Sequence, residues 1–335
     1  MLGSFMNTSN KVWKMSTNMT MSIALFSSTI LCIMMNSWLM IWVLLEVNTL
    51  AFCSMIKNSK KKETKKFPEM SMKYFIIQSI ASSMLLMFSM LTNEMMTKMI
   101  TWMMMLTALL IKMASSPFHE WFIKLTKNLS MNNTILLMTW QKMVPIYLLM
   151  YMKKMMIMPF ILMSMFLGAT LQMNKKNIME IMAFSSVFNL GWIMLSMSMS
   201  TKVLVIFITI YWSSVLITMK MIESINQKTI NTEPKSSQEK MFTMMIMANL
   251  AGIPPFMGFL VKWTILKEFT KMNMSSILTI VLMISATNFY IYLRFFSKFS
   301  LNKSNSKQKM KKKMPKYFLW TFLSMNFLTL LMMPI

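Results

Sequence analysis

The chain of 335 residues is 56% hydrophobic and only 13% charged, with a net charge of +25 and a mean hydropathy of +0.52. A soluble domain carries about 25% charged residues, so this composition excludes an ordinary globular enzyme. There is no aspartate, one histidine (His119) and two cysteines, and no CxxC, HExxH, Walker or GxGxxG motif occurs, which leaves no basis for a metal, haem, flavin or nucleotide site.

Long apolar runs predict about eleven membrane-spanning helices, each able to cross a hydrocarbon core of roughly 30 Å. The first three cover 18–35, 37–56 and 69–92. A long segment, 96–127, is interrupted at Ser115-Ser116-Pro117. Spans at 132–152, 155–173, 178–198 and 200–222 follow. A second long segment, 241–271, is interrupted at Gly252-Ile253-Pro254-Pro255, and the last two spans are 274–299 and 317–334. No alternating segments of roughly ten residues appear, so a β-barrel is excluded. The fold class expected is an all-α polytopic membrane protein.

Spans one to five (18–152) and six to ten (155–299) make two sets, each with its fourth member broken by proline: Pro117 in one, Pro254 and Pro255 in the other. Five is odd, so the second set starts from the opposite side of the membrane. The arrangement expected is therefore two inverted five-helix repeats within one membrane domain, plus a C-terminal helix at 317–334. Broken helices at matching places of inverted repeats point to a transport path, although two unrelated kinks would look the same.

Loop charge sets the orientation. Loops on the N-terminal side hold 25 basic residues, and those opposite hold six. By the positive-inside rule the N-terminus faces the cytoplasm-equivalent side. The lysines of the 57–66 and 301–316 runs are read as solvated loop charge beside the lipid bilayer, not as a nucleic-acid footprint. No Arg-rich presequence or cleavage site appears at the N-terminus, so no removable targeting peptide is expected. The 52 methionines and the 34-to-1 preference for Lys over Arg indicate an AT-rich mitochondrial coding bias. Cys32 and Cys53 lie inside apolar runs and read as small buried hydrophobes.

Four basic residues remain: Lys73, Lys112, Lys142 and Lys262. Lys73 lies near the start of its span and can snorkel to the interface. Lys142 is mid-span, Lys112 just precedes the first break, and Lys262 follows the second by about two turns. Glu46 is the clearest mid-span carboxylate. Each such charge costs about 2.5–3.5 kcal/mol to insert and normally faces protein or water on an ion path. Burial disfavours an ammonium and a nearby carboxylate restores it, so a Glu–Lys pair that opens and closes can load and release a proton. Static structural pairs are the alternative.

Six stretches in order carry a resemblance. They are Asn36-Ser37-Trp38-Leu39 with Leu45-Glu46-Val47-Asn48; Lys73-Tyr74-Phe75; Leu110-Ile111-Lys112 with Ser116-Pro117-Phe118-His119; Met138-Thr139-Trp140-Gln141-Lys142-Met143-Val144-Pro145; Ala183-Phe184-Ser185-Ser186 with Gly191-Trp192; and Gly252-Ile253-Pro254-Pro255-Phe256 with Gly258-Phe259-Leu260-Val261-Lys262-Trp263. With these the sequence resembles the subunit-2 family of mitochondrial NADH:ubiquinone oxidoreductase (respiratory complex I), an antiporter-like family. About eleven spans and a matrix N-terminus fit its shortened animal form.

The resemblance implies a proton-translocating subunit of the mitochondrial inner membrane, partnered by other membrane subunits and enzymatic only as part of the complex. It implies that Glu46 pairs with Lys112, that Lys142 is the central relay and that Lys262 lies towards the exit. NAD, FMN, iron–sulfur clusters and ubiquinone would belong to other subunits, with no cofactor in this chain. Two positions depart from the family pattern. Glu120 is an extra charge expected to face a loop, and Asn189 stands where relatives often carry histidine, which weakens the case for a relay through 178–198. His119 matches in position, and a helix-end hydrogen bond is expected of it. Two other readings stay open: a stand-alone cation/proton antiporter, and a scaffold with static buried ion pairs.

Overall fold

The computed structural model describes residues 2–58, 66–91, 98–152, 154–225, 245, 247–253, 256–271 and 275–301. Its helices are α1 (Leu2–Met34), α2 (Trp38–Asn58), α3 (Lys66–Met90), α4 (Lys98–Met113), α5 (Glu120–Thr126), α6 (Met131–Met138), α7 (Met143–Leu149), α8 (Lys154–Gln172), α9 (Ile178–Met199), α10 (Thr201–Ile225), α11 (Met257–Lys271) and α12 (Ser275–Leu301). A further helical stretch occupies 247–251. Pro254, Pro255, the expected span 317–334 and most of the two lysine-rich runs lie outside the described residues.

Two stripes on α2 show what surrounds the chain. Leu39, Val43, Val47 and Leu50 are exposed, whereas Ile41, Leu45, Asn48, Phe52 and Ile56 are buried. On α3, Met72, Ile76, Ile80 and Met87 face outward while Ser71, Tyr74, Gln78 and Ser82 face inward. Apolar stripes outside and polar groups inside suit a hydrocarbon solvent, in which polar groups must be satisfied by protein. Buried serines and threonines within the helices comply by bonding to their own helix one turn back, as Ser28 does with Leu25 and Ser186 with Ala183.

Six helices among the described residues contain a stretch long and apolar enough to cross a membrane: Thr17–Met34, Trp38–Asn58, Pro68–Met90, Ile178–Met199, Thr201–Glu223 and Ile277–Arg294. Met156–Gln172 is a shorter apolar helix. Three expected spans, 96–127, 132–152 and 241–271, are each divided into pieces shorter than a full crossing. The first helix, expected from residue 18, begins at Leu2 instead. Its polar opening segment contains no proline to stop a helix, so hydropathy marks the start of the apolar stretch and not of the helix.

The chain forms two compact units, Met1–Ile157 and Met158–Ile335. In the first, α1 packs on α2, α2 on α3 and α3 on α4, with α7 against α1 and α4. The break after α4 falls where Pro117 requires it. Ala114 turns to φ 58°, its N–H bonds the Ile111 carbonyl, and the Ser115 N–H reaches back to Leu110, both at 3.1 Å. This is a Schellman cap, with alanine in the left-handed place that glycine usually fills.

A second break in this unit is a correction to the continuous helix expected over 132–152. α6 ends at Met138, a 3-10 turn spans Trp140–Lys142, and α7 begins at Met143. Pro145 is the cause: it has no N–H for the Gln141 carbonyl, and its ring crowds that carbonyl. The chain tightens to bonds three residues back, such as Lys142 N–H to Thr139.

In the second unit, α9 is buried at every residue from Ile178 to Ser196. α8 presses close to it at two glycines. A Cβ on Gly191 would meet Met165 Cγ at 2.4 Å, and one on Gly168 would meet the Phe188 backbone N at 2.8 Å. α10 and α11 also pack on α9. The stretch 247–251 ends in the same cap as α4: Gly252 at φ 78° bonds Asn249, and the Ile253 N–H reaches Ala248. Here glycine does occupy the left-handed position.

Candidate functional site

The 3-10 turn is what positions Lys142. At three residues per turn, successive side chains point about 120° apart, so three consecutive residues reach three neighbours. Trp140 donates its indole N–H to Thr29 of α1 at 3.0 Å and packs edge-on against Phe26. Gln141 donates to the Asn48 side chain of α2 at 3.0 Å and accepts from Tyr74 of α3 at 3.4 Å. Lys142 turns towards α5, with Nζ 4.7 Å from the centre of the Phe122 ring. It is 2% exposed, and its Nζ has no hydrogen-bond partner among protein groups. A cation–π contact is the ammonium's main compensation there.

Lys112 occupies the last turn of α4, where the helix C-terminus favours a cation. It is 5% exposed and donates to the Gln78 backbone carbonyl of α3 at 3.3 Å. One turn further along α3, Ser82 donates its hydroxyl to Glu46 Oε1 of α2. Glu46 and Lys112, expected to pair, form no direct bond with each other; α3 offers a bonding partner to each, Gln78 to the lysine and Ser82 to the carboxylate.

Lys112 and Lys142 also line one cavity, together with Tyr74, Gln78, Phe122 and Gln141. Its volume is about 10 Å³, room for about one water.

Lys262 lies in the second unit, in the second turn of α11 and half-buried. It donates to the Ala251 carbonyl at 3.3 Å, one of those left open where 247–251 ends, and its Nζ faces the rings of Phe188 at 5.5 Å and Trp192 at 5.9 Å. It lines a cavity of about 30 Å³ with Asn189, Tyr211, Ser214 and Asn249. Asn189, the departure from the family pattern, therefore stands at the Lys262 cavity.

The remaining sequence candidates have local roles. His119 is the N-cap of α5, with Nδ1 3.2 Å from the Pro117 carbonyl and 3.1 Å from Ser116 Oγ. A carbonyl can only accept, so that bond places the ring proton on Nδ1. Glu120 is the first residue of α5, exposed and paired with Lys124 one turn on at 3.1 Å. Lys73 is likewise exposed and paired with Glu69. No group of three or more His, Cys, Asp or Glu able to hold a metal occurs among the described residues.

Sequence reasoning missed Gln78, Ser82, Gln141 and Phe122. Only for Gln141 was there a signal, the proline four residues later.

Comparison with known proteins places this geometry in context. Residues 35–288 match the family described as NADH:quinone oxidoreductase/Mrp antiporter, TM. The chain is 34% identical over 304 residues to NADH-ubiquinone oxidoreductase chain 2 of Anopheles gambiae, covering 86% of this chain and 87% of that one. It is 34% identical over 281 residues to the protein of the same name from Artemia franciscana, covering 82% and 86%. In structure it resembles a chain of respiratory complex I from Thermus thermophilus, with a TM-score of 0.79 at 16% identity, over 93% of this chain and 76% of that one. It also resembles a chain of the Mrp complex from Dietzia sp. DQ12-45-1b, with a TM-score of 0.73 at 16% identity, over 89% and 63%.

Proposed function

The chain belongs to the NADH:quinone oxidoreductase/Mrp antiporter family, and from that premise we propose that it is the proton-translocating, antiporter-like membrane-arm subunit of a respiratory NADH:ubiquinone oxidoreductase. The observation that carries the reading is the pair Lys112 and Lys142, both buried, on one cavity beside two helix breaks, with Lys142 Nζ bonded to no protein group. A static ion pair would satisfy its members. An amine held against an aromatic face beside a space for one water is instead suited to gaining and losing a proton.

Glu46, Lys112 and Lys142 form the path in the first unit, and Lys262 serves the second. Proton arrival at Glu46 removes the negative charge that steadies Lys112, and a proton on Lys112 is then easier to pass to Lys142 across the shared cavity. The partners are other membrane subunits, and the redox cofactors and ubiquinone belong elsewhere in the complex, so the chain contributes translocation and no redox chemistry. The location is the mitochondrial inner membrane, with the N-terminus on the matrix side, as the loop lysines indicate. Two inverted five-helix repeats and a C-terminal helix complete the proposed topology, for which the shared cap at Ala114 and Gly252 is support.

The test is coupled proton pumping by the assembled complex carrying Lys112→Ala or Lys142→Ala. Assembly with impaired pumping is expected, and unchanged pumping in both variants would overturn the path. Cation exchange by the chain reconstituted alone would favour a free-standing antiporter, a reading supported by the family's inclusion of Mrp antiporters and by the likeness to the Mrp complex chain.

A further inference from the structure

Both carboxylate oxygens of Glu46 face hydroxyl groups, and each hydroxyl has a second acceptor within reach. Ser82 Oγ lies against Oε1 and also 2.9 Å from the Ser79 carbonyl of its own helix. Thr49 Oγ1 lies 3.4 Å from Oε2 and 2.8 Å from the Glu46 backbone carbonyl. A hydroxyl carries one proton and two lone pairs, so neither can donate to both of its acceptors at once. We propose that Ser82 and Thr49 form a convertible clasp that holds Glu46 in place in both of its protonation states, and so act as positioning residues for proton transfer.

The two states differ only in where hydroxyl protons point. With Glu46 ionised, Ser82 and Thr49 donate to the carboxylate. When Glu46 takes up a proton, the new O–H bond donates to Ser82 Oγ, and the Ser82 proton turns to the Ser79 carbonyl. Thr49 keeps its bond to the uncharged oxygen, Oε2. The carboxyl gains one proton, each hydroxyl keeps its own, and no heavy atom has to move. A buried donor or acceptor without a partner is strongly penalised, and the clasp leaves none in either state.

Position favours Ser82 as the more important half. It is 0% exposed, and it stands one turn from Gln78, whose carbonyl receives Lys112. In a helix that carbonyl is also the ordinary acceptor for the Ser82 N–H. One turn of α3 therefore fixes both the carboxylate and the lysine. Ser79 and Ser83, its neighbours on the same helix, bond one turn back and reach no charged group.

This inference rests on the proposed proton path, and the experiment separates the two. The assembled complex is prepared with Ser82→Ala, Thr49→Val, both together, Ser82→Thr, and Glu46→Gln. Coupled proton pumping is measured, and the C=O stretch of the protonated carboxyl is followed by infrared difference spectroscopy, with Glu46→Gln identifying the band. Loss of a hydrogen bond to a charged group is expected to slow pumping by about tenfold for Ser82→Ala, to shift the Glu46 band, and to be largely recovered in Ser82→Thr. Thr49→Val keeps the volume of the side chain, so it supplies the same spectroscopic reading even if Ser82→Ala fails to assemble. If Glu46→Gln stops pumping while the double variant pumps at the wild-type rate with an unshifted band, the clasp is overturned and the path stands. An unshifted band in Thr49→Val together with an unassembled Ser82→Ala also overturns the clasp. If Glu46→Gln pumps normally, the path itself falls, and the clasp with it.

Discussion

Lys112 and Lys142 open onto one cavity but are held by unlike partners: the Gln78 carbonyl at 3.3 Å for the first, and the face of the Phe122 ring at 4.7 Å for the second. The difference separates stability from function. A buried cation with no hydrogen bond is a cost to the fold, and exchanging it for an apolar group of similar length removes that cost. Lys142→Met is expected to raise thermal stability by roughly 1–3 kcal/mol while suppressing proton pumping. Thermal unfolding of the purified complex and pumping in vesicles check this, and a drop in stability would show that Lys142 is held better than its contacts suggest.

Pro145→Ala should act through geometry. An alanine at 145 supplies the N–H that the Gln141 carbonyl lacks, so the tight turn at Trp140–Lys142 relaxes towards a continuous helix. Lys142 then rotates away from Phe122. The expected outcome is a complex at least as stable as the parent, with pumping reduced several-fold, on the order of the 1–2 kcal/mol that a desolvated cation–π contact contributes.

The two caps predict opposite responses. Ala114 adopts φ 58°, which costs an L-residue roughly 1–2 kcal/mol, partly offset by the greater chain entropy that a glycine loses on folding, about 0.5–1 kcal/mol. Ala114→Gly should therefore gain about 0.5–1 kcal/mol in thermal stability. Gly252→Ala meets the same strain with the sign reversed, and its new methyl lies 3.1 Å from Lys262 Nζ. It should lose about 0.5–1 kcal/mol from the backbone and displace the lysine from the Ala251 carbonyl, slowing pumping more than the stability loss alone would.

Gln141→Leu removes the bond to Asn48 and the acceptor for Tyr74 at one stroke. Both partners are buried, and a polar group left unsatisfied costs about 1–3 kcal/mol. Destabilisation of roughly that size is expected, and Gln141→Glu, which keeps the acceptor for Tyr74, should recover part of it. The thermal midpoints of the two variants decide the matter.

The charged residues of the site were legible because charge is scarce. Once the loop lysines were assigned to topology, Lys112, Lys142 and Lys262 stood out, and Pro117 marked its break directly. The groups that hold them were not legible. A serine in an apolar run usually bonds to its own helix, and Ser82 differs from Ser79 and Ser83 only in facing Glu46, which depends on how α2 and α3 pack. The turn at Trp140–Lys142 was hidden for another reason: Pro145 lies within an otherwise apolar run, and hydropathy does not register a change from four-residue to three-residue hydrogen bonding. The start of α1 was misplaced because its polar opening segment adds no hydropathy yet is still helical.

The burial of α9 bears on how the second unit responds to its membrane. A helix with no outward stripe from Ile178 to Ser196 meets no acyl chains along that length. Where a bilayer is too thin or too thick, helices that contact lipid tilt or bend to match it; in this unit that falls to members such as α10 and α12, which show apolar residues outward. α9 feels a change in thickness only through the neighbours packed on it, and at Gly168 and Gly191 it has no slack to give. Asn189, and the cavity it shares with Lys262, are thus carried on the part of the unit least exposed to differences in acyl-chain length.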